Sequence, residues 1–436
     1  MKLHILGMGI VGLATGITFA KKGYELIFSD ISNEIVEKFN EGEVLVYEKD
    51  MEENVKKIVN EKKAYATTDV KSAVKKSKFS FVCIGTPEKS CFIDLSRIND
   101  GVKAIANALK EKDEYHVVVI KSTVPPLTTE KVFIPLLERI ANKKVGKDIG
   151  LCMNPEFLRE GEALSSTMKP DRIIIGEYDR KSGKNLLSLY KKFNSEKLRV
   201  EIRVAEMIKC ASNAFLGMKV AYANEIANLC EKLGIDVYEV MKGVGLDKRI
   251  NKMFLRAGCG FGGSCLPKDI KSLVHIAKKN KVNVPILKAV IENNEKQPLR
   301  VVEIAGDVKG KKAALLGLSF KPGTDDVRNT CALKIYNELI SRGANVVVYD
   351  PKAMKNFLKI AHNAKKAENL HEAIDGKEIC IIQTEWDEFK KLKPEEIKKL
   401  MKKPVIIDGR RTFNPNKLIK EGIIYKGIGW KDNDSD

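Results

Sequence analysis

The chain has 436 residues, with 77 Lys and Arg against 58 Asp and Glu for a net charge of +19, and 44% of its residues are hydrophobic. That balance excludes a disordered or fibrous protein, and at roughly 100 to 200 residues per domain the length allows two to four domains, each with its own core. No apolar run approaches the roughly 18 to 20 residues that span a bilayer, and residues 1–12 read as a strand and a glycine turn without an apolar leader, so a cytoplasmic protein is expected.

The first 150 residues alternate short apolar runs with helical patterns. Strands are expected at Lys2 to Leu6, Glu25 to Ser29, Phe79 to Ile84, His116 to Ile120 and Gly150 to Met153, an alternation that implies a parallel sheet covered by helices. From about Val204 to Leu233 the pattern becomes a long Ala-rich helix, and helical character persists to about Asn294 except around Gly258 to Lys268. A second alternating block follows, with strands expected at Ala313 to Leu318, Asn345 to Tyr349, Glu378 to Gln383, Pro404 to Asp408 and Ile423 to Tyr425. The expected architecture is α/β, with two Rossmann-like parallel-sheet domains joined by a helical dimerisation domain built on a long central helix. The boundaries are 1–200, 201–305 and 306–436.

Gly7-Met8-Gly9-Ile10-Val11-Gly12 follows a strand and opens a helix. In that setting the first glycine permits the turn, the second lets backbone approach a pyrophosphate and the third lets helix and strand come close. The second strand ends in Asp30, 18 residues after Gly12, where an acid bonds the adenosine ribose and repels a 2′-phosphate; NAD is the expected cofactor. Thr86, Ser122 and Thr123 follow later strands, at the carboxyl edge where ligands gather.

Nine cysteines are scattered without a C-x-x-C pair, which argues against a disulfide scaffold or a thiolate zinc site, and no metal is expected. Most are read as core packing. Cys265 is different: it ends a glycine-rich run, Gly258 to Ser264, and precedes Leu266-Pro267-Lys268-Asp269. Pro267 suits the first turn of a helix, so Cys265 stands at a helix N-terminus, with Lys268 near enough to favour a thiolate. Asp269, one turn on, is placed to hold a water or move a proton. Asn154-Pro155-Glu156-Phe157-Leu158-Arg159-Glu160-Gly161 reads as a short helix or turn with two carboxylates on one face, and Lys209 and Asn213 share a helical face that is otherwise small and apolar. Hydride acceptor, thiol, lysine, carboxylates and an ordered water suit oxidation of an aldehyde through a thiohemiacetal and thioester. None of the five histidines lies in these motifs, which disfavours a histidine-driven alcohol dehydrogenase.

With Ile120-Lys121-Ser122-Thr123-Val124-Pro125 and the run Gly317 to Arg328, these motifs in this order resemble the UDP-glucose/GDP-mannose dehydrogenase family over essentially the whole chain. The resemblance implies two successive NAD-dependent oxidations at C6 of a nucleotide sugar, in one active site of a homodimer or larger homo-oligomer. It makes Cys265 the nucleophile, with Lys209 and Asn213 acting on the sugar oxygen. Asp269 and Thr123 order a water, Glu156 assists hydrolysis, and Glu160 lies near the reacting sugar or cofactor. It adds Ile10, Val11, Lys268 and Arg328 to the cofactor contacts. Its substrate contacts are Phe157, Leu158, Phe254, Gly262, Phe320, Lys321 and Arg410, with Arg249 reaching a neighbouring subunit's substrate.

Three positions depart from the family pattern: Leu127 in place of a glycine, Glu48-Lys49-Asp50-Met51 in place of Glu-Pro-Gly-Leu, and Ser166 in place of an acid. Loop shape and cofactor contacts are expected to differ there. Gly161 and Leu266-Pro267-Lys268 favour the UDP-glucose branch over GDP-mannose or UDP-N-acetylhexosamine. The competing readings are a nucleic-acid-binding protein using the +19 surface and a non-catalytic sensor of NAD or nucleotide sugar. Dispersed lysines and few aromatics disfavour the first, and the intact set of Cys265, Lys209 and Asp269 disfavours the second.

Overall fold

The computed structural model describes residues 1–89 and 92–431, so Cys91 lies outside the described residues. The chain divides into two compact units, Met1–Ser212 and Asn213–Asp436. The strands of the first are β1 Lys2–Leu6, β2 Glu25–Ser29, β3 Ala64–Thr67, β4 Phe79–Val82, the short hairpin β5 Glu88–Lys89 and β6 Phe92–Ile93, β7 His116–Ile120, β8 Ile149–Met153, β9 Arg172–Glu177 and β10 Glu196–Glu201. Eight of them form one sheet in the order β10-β9-β8-β7-β4-β1-β2-β3. The sheet is parallel except where β9 runs antiparallel to β8, a correction to the purely parallel expectation. The edge strands β3 and β10 escape a search for apolar runs because their residues are largely short, polar or charged.

The chain order reverses between β1 and β4, which opens a crevice at their carboxyl ends. The helix Ile10–Lys21 starts there and is buried from Gly12 to Ala20, the condition that makes a helix apolar all round. A Cβ on Gly12 would lie 1.9 Å from the Gly7 carbonyl oxygen, so only glycine permits this approach.

A line of polar side chains crosses the interior of this sheet. His4 on β1 bonds Ser29 at 2.6 Å and Ser80 on β4 at 2.9 Å, and Ser80 bonds His116 on β7 at 2.8 Å. The Lys112 ammonium closes the line on His116 at 3.2 Å and also donates to the Val74 and Ser77 carbonyls. Burial pulls the His4 imidazole down to about 3, and burial with the Lys112 charge pulls His116 well below its ordinary value. Both rings are therefore neutral, as satisfied core groups and not as acids or bases.

The second unit carries β11 Lys312–Leu316, β12 Asn345–Tyr349, β13 Lys365–Lys366, β14 Ile379–Ile382, β15 Val405–Asp408 and β16 Ile424–Gly427, all parallel, in the order β13-β12-β11-β14-β15-β16. Before them come the helices Val237–Val244, Leu266–Lys279 and Pro285–Ala305. The helix Ile202–Lys232, 31 residues long, begins in the first unit and continues into the second.

The two sheets repeat one device. Gly7 after β1 donates its N–H to the Ser29 carbonyl, and Gly317 after β11 donates to the Tyr349 carbonyl, both at 2.8 Å with left-handed backbone. Asp30 after β2 accepts from Met8 N–H at 2.9 Å, and Asp350 after β12 accepts from Leu318 N–H at 2.7 Å. They differ in what remains. Among the described residues Asp30 takes one further bond, from Ser32 N–H, and it is half-buried. Asp350 is 2% exposed and also accepts from Ser319 N–H and Oγ, Trp386 Nε1, Lys352 N–H and Ala353 N–H.

Candidate active site

In the first unit Gly9 is the N-cap of the helix Ile10–Lys21 and gives it no side-chain cap, and a Cβ at Gly9 would meet nothing within 4 Å. The first-turn N–H groups of Ile10 and Val11 have no intrahelical acceptor and Gly9 adds no side chain before them, a seat for a pyrophosphate. At the carboxyl end of β4 and β7, Thr86 donates to the Thr123 carbonyl at 2.8 Å and Ser122 donates to the Ile84 carbonyl at 2.7 Å. These hydroxyls knit the two loops together and fix the crevice wall.

The segment Asn154 to Gly161 is an extended loop and turn, not a helix; the helix begins only at Ala163. Asn154 is not a cap. It is buried, donates to the Ile174 carbonyl at 2.8 Å, and accepts from Lys121 Nζ at 3.1 Å and Tyr190 OH at 2.5 Å. Glu156 and Glu160 therefore do not share a helical face. Glu156 forms a buried ion pair with Lys209 at 2.9 Å, their side chains 11% and 4% exposed. Burial pushes the Glu156 carboxyl up, but the Lys209 ammonium, the Leu158 N–H and the Lys121 charge hold it below its ordinary value. Phe157 lies under the same ammonium, 5.2 Å from ring centre to Nζ, and under the Arg172 guanidinium at 3.9 Å. Lys121 is itself buried, which lowers its ammonium.

In the second unit Cys265 is the residue before the helix Leu266–Lys279, with Pro267 in its first turn, and it is exposed. The other seven described cysteines are buried, and burial pushes Cys83, Cys152 and Cys259 up to about 12. Of the described thiols, only Cys265 therefore combines access with a helix N-terminus. Lys268 donates to Asp269 at 2.7 Å, and Asn213 donates to the other oxygen of Asp269 at 2.6 Å. The Lys268 charge is thus committed to Asp269, where the sequence suggested the thiol.

The glycine run before Cys265 is clamped from several sides. Asn224 accepts from Gly258 N–H at 2.8 Å, Asn294 accepts from Phe261 N–H and donates to its carbonyl at 2.7 and 2.9 Å, and Arg410 donates to the Gly260 carbonyl at 2.8 Å. Gly263 N–H bonds the Arg328 carbonyl at 2.9 Å, and a Cβ on Gly262 would sit 2.4 Å from the Asn329 carbonyl oxygen. Phe320 packs on Gly263, with Lys321 Nζ 5.6 Å from its ring centre. The Arg328 side chain is engaged by Asp326 and the exposed Arg249 by Asp247. Phe254 has left-handed backbone.

Family models match the chain in three consecutive stretches: the NAD binding domain of the UDP-glucose/GDP-mannose dehydrogenase family at residues 1–194, its central domain at 203–296 and its UDP binding domain at 314–415. The chain belongs to the UDP-glucose/GDP-mannose dehydrogenase family. The UDP-glucose 6-dehydrogenase TuaD of Bacillus subtilis is 38% identical over 98% of this chain and 93% of its own. A UDP-glucose dehydrogenase structure from Pyrobaculum islandicum superposes with a TM-score of 0.90 at 35% identity, covering 98% of each chain. A UDP-D-ManNAc dehydrogenase structure from Pyrococcus horikoshii gives 0.88 at 29% identity, covering 99% of this chain and all of that one. The chain is thus an NAD-dependent nucleotide-sugar dehydrogenase, and its uncapped helix at Gly9 fits the cofactor. No described helix is long and apolar enough to cross a membrane.

Two departures from the dehydrogenase pattern keep a backbone that glycine favours: Asp50 has φ 59° and Leu127 φ 73°. The loop at Leu127 is held by Glu206, whose carboxylate accepts from Leu127 and Thr129 N–H at 2.6 and 2.9 Å. Ser166 accepts from Arg159 N–H at 3.1 Å. Asn224, Asn294 and Glu206 were not singled out in the sequence. A signal existed for Asn224 and Glu206, polar residues in mostly apolar helical stretches, whereas Asn294 stands in the polar run Glu292 to Gln297 and carries none.

Proposed function

We propose that the chain oxidises UDP-glucose to UDP-glucuronate. The observation that carries this is full-length similarity to proteins named UDP-glucose 6-dehydrogenase at 35–38% identity, joined to an exposed cysteine at a helix N-terminus. Gly7, Gly9, Gly12, Ile10, Val11 and Asp30 would hold NAD, with Thr86, Ser122, Thr123, Glu160, Lys268 and Arg328 completing its contacts. When bound, NAD⁺ accepts the electron pair of each oxidation.

In this reading Lys209 stabilises the negative charge that develops on the C6 oxygen and so assists the first oxidation, its place fixed by Glu156. The Cys265 thiolate adds to the resulting aldehyde to give a thiohemiacetal, whose oxidation leaves a thioester. Water ordered by Asp269 and Thr123, with Glu156 assisting, cleaves that thioester to the carboxylate and regenerates the thiol. Asn213 donates to the intermediate's oxygen. Phe157, Leu158, Phe254, Gly262, Phe320, Lys321 and Arg410 form the sugar and nucleotide contacts, and Arg249 serves a neighbouring subunit.

The division into 1–200 for NAD, 201–305 for dimerisation and catalysis, and 306–436 for the UDP-sugar belongs to the same proposal, as does a cytoplasmic location. A homodimer is supported by the exposed stripe Val204, Met207, Phe215, Tyr222 and Leu229 along one helix, because an apolar stripe of that spacing needs a partner.

The test is NADH formation with UDP-glucose, GDP-mannose, UDP-N-acetylglucosamine and UDP-N-acetylmannosamine. The proposal expects UDP-glucose to be preferred, with two NADH per sugar. Preference for UDP-N-acetylmannosamine would favour the second reading, which the Pyrococcus structure supports. Cys265→Ser should bind both ligands and form no acid; undiminished turnover would refute the thioester route.

A further inference from the structure

Glu48 lies in the loop between the helices Asn33–Asn40 and Met51–Asn60 and is 6% exposed. Both of its carboxylate oxygens are spent on backbone far along the chain. Oε2 accepts from Gly161 N–H at 2.8 Å and Oε1 from Ala163 N–H at 2.9 Å. These amides lie at the start of the helix Ala163–Met168, whose own N-cap, Glu162, makes no side-chain cap bond. Glu48 thus supplies from a distant loop the acceptor that a cap residue supplies locally. Gly161 has φ 82°, a left-handed turn directly after Glu160, so the bond to its N–H fixes where the chain carrying Glu160 enters the helix. On its other side the Glu48 loop borders the cofactor turn: Glu43, Val44, Leu45 and Val46 line a groove with Met8 and Phe39.

We propose that Glu48 is a positioning residue for the reaction, holding the segment that bears Glu156 and Glu160 in place and tying it to the groove beside the glycine turn. The role rests on the proposed function for its catalytic meaning and on the two hydrogen bonds for its structural one. Glu48→Gln keeps the volume but turns an amide donor toward one of the two N–H groups, whereas Glu48→Asp keeps the charge on a shorter arm.

The experiment measures kcat and both KM values per NAD⁺-competent site, with the competent fraction fixed by cofactor titration, and hydrogen exchange of residues 158–166. Glu48→Gln is expected to lower kcat by about ten- to a hundredfold with both KM values within about twofold, because misplaced reacting groups cost turnover rather than affinity. Exchange in 158–166 should quicken at least about tenfold while the helix Met51–Asn60 is unchanged, and Glu48→Asp should recover part of both losses. Unchanged kcat per competent site, or unchanged exchange in 158–166, would overturn the proposal. The exchange arm needs no substrate, so it decides the clamp even if no nucleotide sugar is turned over and the functional reading fails.

Discussion

Lowering the pH from 7.5 to 5 should destabilise the first unit through the buried line His4, Ser80 and His116. The folded protein holds both imidazoles neutral, His4 at about 3 and His116 also well below its ordinary value, while in the unfolded chain each titrates near 6.5. A group whose folded pKa is depressed leaves stability intact above the unfolded pKa and loses it as pH falls toward the folded one. At pH 5 the unfolded imidazole has bound its proton and the folded one has not, a loss of about 2 kcal/mol for each ring and about 4 kcal/mol for the two together. In the same unit Glu206 works in the opposite direction, because burial raises its carboxyl, and Glu156, held below its ordinary value, adds to the loss, so the histidine share must be isolated by mutation. His4→Gln keeps a polar side chain of similar reach and has no proton to gain. The assay is hydrogen exchange of β1 and β4 in a urea series, since both tryptophans, Trp386 and Trp430, lie in the second unit and are blind to this one. Between pH 7.5 and 5 the wild type should lose about 2 kcal/mol more than His4→Gln. Equal losses in the two proteins would refute the reasoning.

Lys209→Met should do more than slow oxidation: it strands Glu156 as a buried, unpaired carboxylate, a change that costs about 3 to 5 kcal/mol, and pairing it with Glu156→Gln should recover most of that in urea titrations. Asp50→Gly should raise stability by a few tenths to about 1 kcal/mol, because Asp50 is an exposed left-handed residue with no side-chain cap bond, and a lower urea midpoint would contradict this. Asp30→Ala should weaken NAD⁺ binding and relax discrimination against NADP⁺, measured as the ratio of the two kcat/KM values. Asp350→Ala should leave that ratio unchanged while destabilising the second unit by at least about 2 kcal/mol, read through fluorescence of Trp386, which donates to it.

Strands β1, β2 and β7 of the first sheet and β12 of the second were legible because they are apolar runs between glycine and polar punctuation. What the sequence hid was local geometry set by distant residues. Nothing adjacent to Asn154 reveals that Lys121 and Tyr190 converge on its side chain, so the segment read as a short helix or turn, and the turn is what forms. The cysteine at a helix start was readable from Pro267 and the glycines, whereas the destination of the Lys268 charge was not, since Asp269 is shared with Asn213, 56 residues earlier. The small apolar face around Lys209 pointed toward burial, but its partner Glu156, 53 residues earlier, is brought to it only by folding.

The paired acids after β2 and β12 bear on how one chain sorts two similar ligands. A dinucleotide and a nucleotide sugar share a ribose and a pyrophosphate, and the two Rossmann-like sheets repeat the same opening turn. In one sheet the acid keeps free lone pairs; in the other six internal donors have already filled them. A dinucleotide docking on the second sheet in the manner of the first would find its ribose hydroxyls without an acceptor at Asp350. Mis-docking is discouraged there by saturation, with no steric block required, and this device would also keep NADH released after each oxidation from occupying the nucleotide-sugar lobe.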